Sequence, residues 1–214
     1  MLETIFSHQR SLMLKYHEVE QTNLGRELPH PEHLDFDDQA SQLRLKEFAW
    51  RITEELAEAT SCFGEELHLL EEMVDALHFA VEFDLMCGLT PEKIIPYQKS
   101  ETEGIMDLLE AIFAKFPPIR ANTDGTGNPI DIVPLHVLTW RAVEKLGVAM
   151  NCLKNKPWKT THMGTDKANF LFEVIQFNHA LFALLSNVGF TPKTLTQIYL
   201  NKNAVNQFRI NSKY

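Results

Sequence analysis

The sequence predicts an all-α fold, a helical bundle built from a duplicated helical hairpin whose second copy is degenerate. Three observations carry this. Apolar residues recur at helical spacing, and no stretch alternates as a half-buried strand would. The breaks between periodic stretches carry helix-end chemistry: Gly88 reads as a C-terminal glycine, and Thr90-Pro91-Glu92 as an N-cap, a first-turn proline and an acid beside it. The chain also repeats itself. Trp50-Arg51 and the EELAEATSCF that follows are matched by Trp140-Arg141 and EKLGVAMNCL, and EEMVDALHFAVEFDLMCGLTPEKI by FEVIQFNHALFALLSNVGFTPKTL, with Gly-x-Thr-Pro closing both copies and His78 opposite His179.

Residues 2–20 read as an amphipathic helix with Ile5, Leu12 and Leu14 among its apolar positions. The polar, proline-punctuated stretch from Asn23 to Asp38 reads as a loop. His30 and His33 lie in it and read as ordinary exposed loop histidines, with a metal role as the weaker alternative. Helices are expected over Ala40–Cys62 and Gly64–Met86, joined at Ser61-Cys62-Phe63-Gly64, and a further one over Thr102–Phe116. Residues 117–134, rich in Pro, Gly, Asn and Asp, read as a linker between an N-terminal part (1–116) and a C-terminal part (135–214) that together form one compact unit. Helical patterns resume at His136–Leu153, Lys167–Leu185 and Pro192 to about Gln207.

The chain is organised around the first hairpin. Glu55-Leu-Ala-Glu58 and Glu72-Met-Val-Asp75 each place two carboxylates on one helix face. Helices joined by so short a link pack antiparallel, so the acids converge on a seam that also contains Ile52, Leu56, Ala59, Met73, Val74, Leu77, Ala80 and Val81. Carboxylates gathered in an apolar seam repel one another and resist desolvation. A hard divalent cation, Mg²⁺ or alternatively Mn²⁺, would neutralise them. Glu65, Glu66, Glu71, Glu82 and Asp84 read instead as solvated helix surface. In the second copy Glu55 is replaced by Lys145, Glu58 by Val148 and Asp75 by Gln176, and only Glu72 keeps a counterpart, Glu173. One copy carries the acids as a set and the other has lost them.

Composition sets outer bounds. The chain has 214 residues, long enough for a real core, with 44% apolar and 23% charged residues, ordinary for a soluble globular protein. A net charge of −9 argues against general nucleic-acid binding. The charge is uneven: after Glu173 there is no acid, while Lys193, Lys202, Arg209 and Lys213 remain, which suggests an anion handled locally. Three cysteines without a C-x-x-C pattern suit a reducing compartment, and the first residues lack the basic and apolar regions of a secretory leader. No run of eighteen apolar residues is present. A cytoplasmic protein with no membrane partner is the expectation.

The last helix carries Lys202, Asn203, Asn206 and Arg209, with Lys202, Asn206 and Arg209 at i, i+4 and i+7 along one face. A cation, an amide and a guanidinium in a stripe suit a polyphosphate. Together the two features resemble the all-α, MazG-like NTP pyrophosphohydrolases, in particular the dimeric dUTPases and the related dCTP/dUTP pyrophosphatases of tailed phages. The family pattern E-x-x-E, spacer, E-x-x-D is matched by Glu55, Glu58, Glu72 and Asp75, and its K-N-x-x-N-x-x-R with a terminal tyrosine by Lys202, Asn203, Asn206, Arg209 and Tyr214.

The resemblance implies that the four carboxylates bind Mg²⁺ and that the C-terminal set holds the phosphates. It further implies that Gln9 in the first helix, Trp50 and Phe79 lie near the nucleoside, and that the protein is a homodimer. His78 is either core or a support for the site. One departure stands out: after the first-helix glutamine the family commonly has an asparagine, and this chain has Leu12-Met13.

The implied reaction is hydrolysis of a deoxynucleoside triphosphate, dUTP first and dCTP second, to the monophosphate and pyrophosphate, with either Glu55 or Glu58 as the group that takes the proton from water. The competing readings are a MazG-like pyrophosphohydrolase for another or modified nucleotide, and a non-catalytic helical interaction protein. A ferritin-like di-iron bundle needs two E-x-x-H motifs on separate helices, and Glu65-x-x-His68 is the only one in a stretch read as helical, since Glu27-x-x-His30 falls in the proline-punctuated loop.

Overall fold

The computed structural model describes residues 1–63, 66–94, 107–117 and 133–212. Among these residues there are eight helices and no strand: α1 (Leu2–Leu24), α2 (Gln39–Ser61), α3 (Glu66–Met86), α4 (Pro91–Ile94), α5 (Leu108–Lys115), α6 (Val133–Cys152), α7 (Lys167–Val188) and α8 (Pro192–Asn211). Most of the linker expected over residues 117–134 lies outside the described residues, and α6 begins at Val133, inside that range. The helix expected from Thr102 is described only from Leu108, where Asp107 caps it by accepting the Leu109 N–H.

Helix ends follow local chemistry. Asp38 accepts the Ser41 N–H at the start of α2, and Asp166 accepts the Asn169 N–H at the start of α7. Thr191 and Thr194 form a reciprocal capping box ahead of α8, with Pro192 in its first turn. Gly88 (φ 70°) and Gly189 (φ 108°) both occupy left-handed backbone, where a side chain would be strained. The two Gly-x-Thr-Pro segments thus turn the chain alike, from α3 into α4 and from α7 into α8.

The core is one continuous cluster drawn from both hairpins, α2 with α3 and α6 with α7. Every apolar seam residue named from the sequence is buried, from Ile52, Leu56 and Ala59 to Met73, Val74, Leu77, Ala80 and Val81. Contacts of α1 with α8, α2 with α6, and α3 with both α7 and α8 join the halves. Among the described residues α7 alone is long and apolar enough to cross a membrane. Its apolar side is consumed instead by the core, with Phe170, Val174, Phe177, Leu181 and Leu185 fully covered.

Two acids depart from the sequence expectation. Glu82 (5% exposed) and Asp84 (1%) are not solvated surface but core. α3 is packed by α1, α2, α7 and α8, so almost no face is left for water, and each acid takes a partner from a neighbouring helix. Gln9 Nε2 of α1 donates to Glu82 at 2.8 Å, and Asn178 Nδ2 of α7 donates to Asp84 at 2.7 Å. Burial raises both carboxyls, Glu82 to about 7 and Asp84 well above its ordinary value.

Candidate active site

The hairpin brings its acids together. One oxygen each of Glu55, Glu58 and Glu72 lies within 4.8 Å of the others. Glu55 also feels the charge of Asp75, and Glu72 that of Glu58, the pairing that antiparallel helices produce. Burial is the largest cause that pushes the Glu55 carboxyl up to about 7, followed by the charges of Asp75, Glu58 and Glu72, with Lys202 opposing. Glu72 is raised by burial first and then by Asp75 and Glu58. Three carboxylates held this close without a cation are electrostatically strained, and an all-oxygen donor set of this kind suits Mg²⁺ or Mn²⁺.

The fourth acid, Asp75, lines the cleft with Glu55 and takes a cation of its own. Asp75 Oδ2 accepts a 2.6 Å ion pair from Lys202 Nζ of α8, with both side chains about three-quarters covered. α8 thereby delivers a cation to the edge of the acidic cluster. Asn206 and Arg209 follow on the same face and line the same cleft, and Arg209 stays exposed to solvent.

This cleft, about 310 Å³, runs from Glu55 and Asp75 past Phe79 to Gln9 and Leu12 of α1. Its inner wall is a polar network. Gln9 is 2% exposed; its Oε1 accepts from the Tyr199 hydroxyl at 2.6 Å and from His78 Nδ1 at 2.9 Å. The His78 ring stacks on Tyr199, with ring centres 3.9 Å apart. An amide oxygen accepts only, so His78 carries its proton on Nδ1 and presents Nε2 as a lone pair. That Nε2 has no partner among the described residues. Burial holds His78 down to about 3 and so keeps it neutral.

Gln9, Phe79, Asn206 and Arg209 therefore line one cleft with Glu55, Asp75 and Lys202. Glu58 and Glu72 join it through Glu55. Trp50 does not: it is 63% exposed, and its indole N–H donates to Glu54 at 2.6 Å. On α2 the cleft face is defined by Arg51 and Glu55, four apart, and Trp50 sits one helical step round from it. Asn203 is buried (1% exposed) beneath the cleft, where its Oδ1 accepts from Gln207. Tyr214 lies outside the described residues.

The sequence reading missed Arg51, Tyr16 and Glu82 as cleft residues. Arg51 shares a helix face with Glu55, a signal that was available. It pairs with Glu20 at 3.0 Å and Glu47 at 2.7 Å, and its guanidinium lies over Phe48, 4.8 Å from the ring centre. Among the described residues the second hairpin offers no donor cluster comparable to the first.

The chain is similar over residues 64–214 to the family described as dUTPase. That span holds Glu72, Asp75, Phe79 and the whole α8 set, and begins after Glu55 and Glu58. No curated protein and no solved structure matches the chain.

Proposed function

Because the chain belongs to the dUTPase family, we propose that it hydrolyses a pyrimidine deoxynucleoside triphosphate, dUTP first and dCTP second, to the monophosphate and pyrophosphate. The observation that carries the reading is the meeting of three clustered carboxylates with the Lys202 face of α8 beside a cleft that Gln9 and Phe79 also line.

Glu55, Glu58, Glu72 and Asp75 would hold Mg²⁺, or Mn²⁺ in its place. When bound, such a cation supplies positive charge against the triphosphate and acidity for water. The chain's own residues do the rest. Lys202, Asn206 and Arg209 bind phosphate oxygens, the two cations by charge-assisted hydrogen bonds. Phe79 offers a ring face to the base, and His78, held neutral by burial, lines the same cleft. Of the two glutamates able to take a proton from water, Glu55 is the better placed, since it lines the cleft while Glu58 is exposed.

The Asp75–Lys202 pair must part for both residues to act, Asp75 towards a cation and Lys202 towards a phosphate. Lys202→Ala is therefore expected to tighten Mg²⁺ binding without nucleotide, because Asp75 is released. The same change should raise KM for the triphosphate by about 10–100-fold, hydrogen bonds to charged groups being worth about 1.5–3 kcal/mol. Calorimetric Mg²⁺ titration and steady-state kinetics read the two effects separately. Unchanged KM would remove Lys202 from the phosphate site.

A homodimer and a cytoplasmic setting belong to the same proposal. Trp50 and Trp140, at matching places in the two copies, are each more than 60% exposed, an apolar surface that a second copy would cover. The three cysteines stand unpaired, as a reducing compartment keeps them. The deciding experiment incubates the protein with Mg²⁺ and each canonical dNTP and dUTP in turn, with products separated by chromatography. Monophosphate and pyrophosphate from dUTP or dCTP are expected. Turnover of purine nucleotides alone would move the protein to a MazG-like specificity, and no turnover of any would refute the hydrolase reading for canonical nucleotides.

A further inference from the structure

Away from the acidic cleft, three histidines meet where α1 faces the loop that follows it. His30, Glu32 and His33 each place one ligand atom within 4.8 Å of the others. His17 of α1 approaches edge-on: its ring centre is 5.5 Å from that of His30, with the planes at 67°. The ring centres of His30 and His33 are 5.1 Å apart. Two imidazoles sharing one tetrahedral zinc, at Zn–N bonds of about 2.0–2.1 Å, have ring centres roughly 5 Å apart. The spacings match a shared ion, although the His30 and His33 planes, now only 23° apart, would have to turn for both nitrogens to face it.

A second observation is independent of the loop. His17 is 7% exposed, and its Nδ1 is buried with no hydrogen-bond partner among the described residues. An unpaired buried nitrogen is unfavourable, and a metal bond would satisfy it. The competing interactions are weak. The Glu32 N–H reaches His30 Nδ1 at 3.3 Å, longer than a usual hydrogen bond. Arg10 pairs with Glu32 at 3.4 Å across a partly solvated gap, where ion pairs contribute little.

The geometry points to a binding site for a borderline divalent transition metal, Zn²⁺ first, formed by His17, His30, Glu32 and His33. Its donor chemistry sets it apart from the acidic cleft: imidazole-rich sites select zinc and its neighbours, whereas carboxylates alone select Mg²⁺ and Mn²⁺. His30, Glu32 and His33 supply three ligands, and His17, whose ring lies against His30, is the fourth that would close the site as a structural one. Such a site clasps the loop after α1 to the helix that carries Gln9 and Tyr16 into the cleft. This site shares no residue with the acidic cleft.

The test uses full-length protein without a histidine tag, stripped with a chelator and titrated with Co²⁺, followed by Zn²⁺ competition. One equivalent of Co²⁺ with tetrahedral visible absorption, displaced by Zn²⁺, is expected. Because His17 is buried, the exposed loop residues carry the mutational arm. His30→Ala and His33→Ala should each weaken Zn²⁺ binding by at least about 100-fold, since losing even a group that only orients a ligand costs about 10–100-fold. Glu55→Gln should leave this binding intact, and Mg²⁺-dependent turnover by His33→Ala should stay at the wild-type level. Zn²⁺ should raise the thermal midpoint of wild type but not of either histidine variant. Binding unchanged in both histidine variants, binding lost with Glu55→Gln instead, or only octahedral Co²⁺ spectra would overturn the assignment.

Discussion

Glu55→Gln is expected to abolish Mg²⁺-dependent turnover while leaving a fold that is more stable in the absence of metal. The loss should be at least about 10²–10³-fold, the scale on which removing one preorganised electrostatic group lowers kcat. The stability gain follows from the pKa. Glu55 sits near 7 in the folded chain against 4.5 unperturbed. Above pH 7 the folded state therefore holds a charge that the unfolded state holds more easily, and removing it relieves repulsion from Asp75, Glu58 and Glu72. Below about pH 4.5 the carboxyl is neutral in both states and the advantage vanishes.

Mg²⁺ closes most of that gap at pH 8. A ligand that binds only the folded state stabilises it by about 2.7 kcal/mol at a hundred times its Kd, and wild type gains this while the variant gains little. Chemical denaturation with and without Mg²⁺ checks this without reference to activity. Retained turnover, or equal stabilisation of the two proteins by Mg²⁺, would remove Glu55 from the metal site.

Glu82→Gln carries the largest expected change in stability. Glu82 is buried, hydrogen-bonded to Gln9, and raised to about 7 by desolvation that the Gln9 bond, Arg44 and Arg51 only partly offset. The raised folded pKa means that wild type loses stability as pH climbs from about 4.5 to 7, because the unfolded carboxyl releases its proton first. Above pH 7 the deficit is about 3 kcal/mol, at 1.36 kcal/mol per pH unit. Glutamine keeps an oxygen to accept from Gln9 Nε2 and carries no charge. The variant should therefore unfold at a higher denaturant concentration at pH 8, lose that lead progressively below pH 7, and match wild type near pH 4.5. A variant less stable than wild type at pH 8 would show that Glu82 is held as a favourable carboxylate by Arg44 and Arg51.

The acidic hairpin was legible because its chemistry is local. Glu55 with Glu58, and Glu72 with Asp75, share helix faces by spacing alone, and a short link between two helices fixes them antiparallel. Gly88 and Gly189 were legible as helix ends for the same reason: each is followed at once by the Thr-Pro that starts the next helix. Trp50 was misplaced because resemblance assigns a residue to a neighbourhood, whereas one helical step decides whether it enters the cleft or points to solvent. Glu82 and Asp84 were misread because a lone acid on a helix is usually solvated, and nothing in α3 itself says that four other helices surround it.

The sequence by itself determined the helices, their ends, the duplicated hairpin and the set of carboxylates, since each rests on interactions between residues a few positions apart. Only the tertiary structure decided how distant residues meet. It set Lys202 against Asp75, closed Gln9, His78, Tyr199 and Glu82 into one buried network, and brought His17 to His30 and His33. Those meetings depend on how α1, α3 and α8 pack, and packing is settled by the burial of the whole core rather than by any short stretch of it.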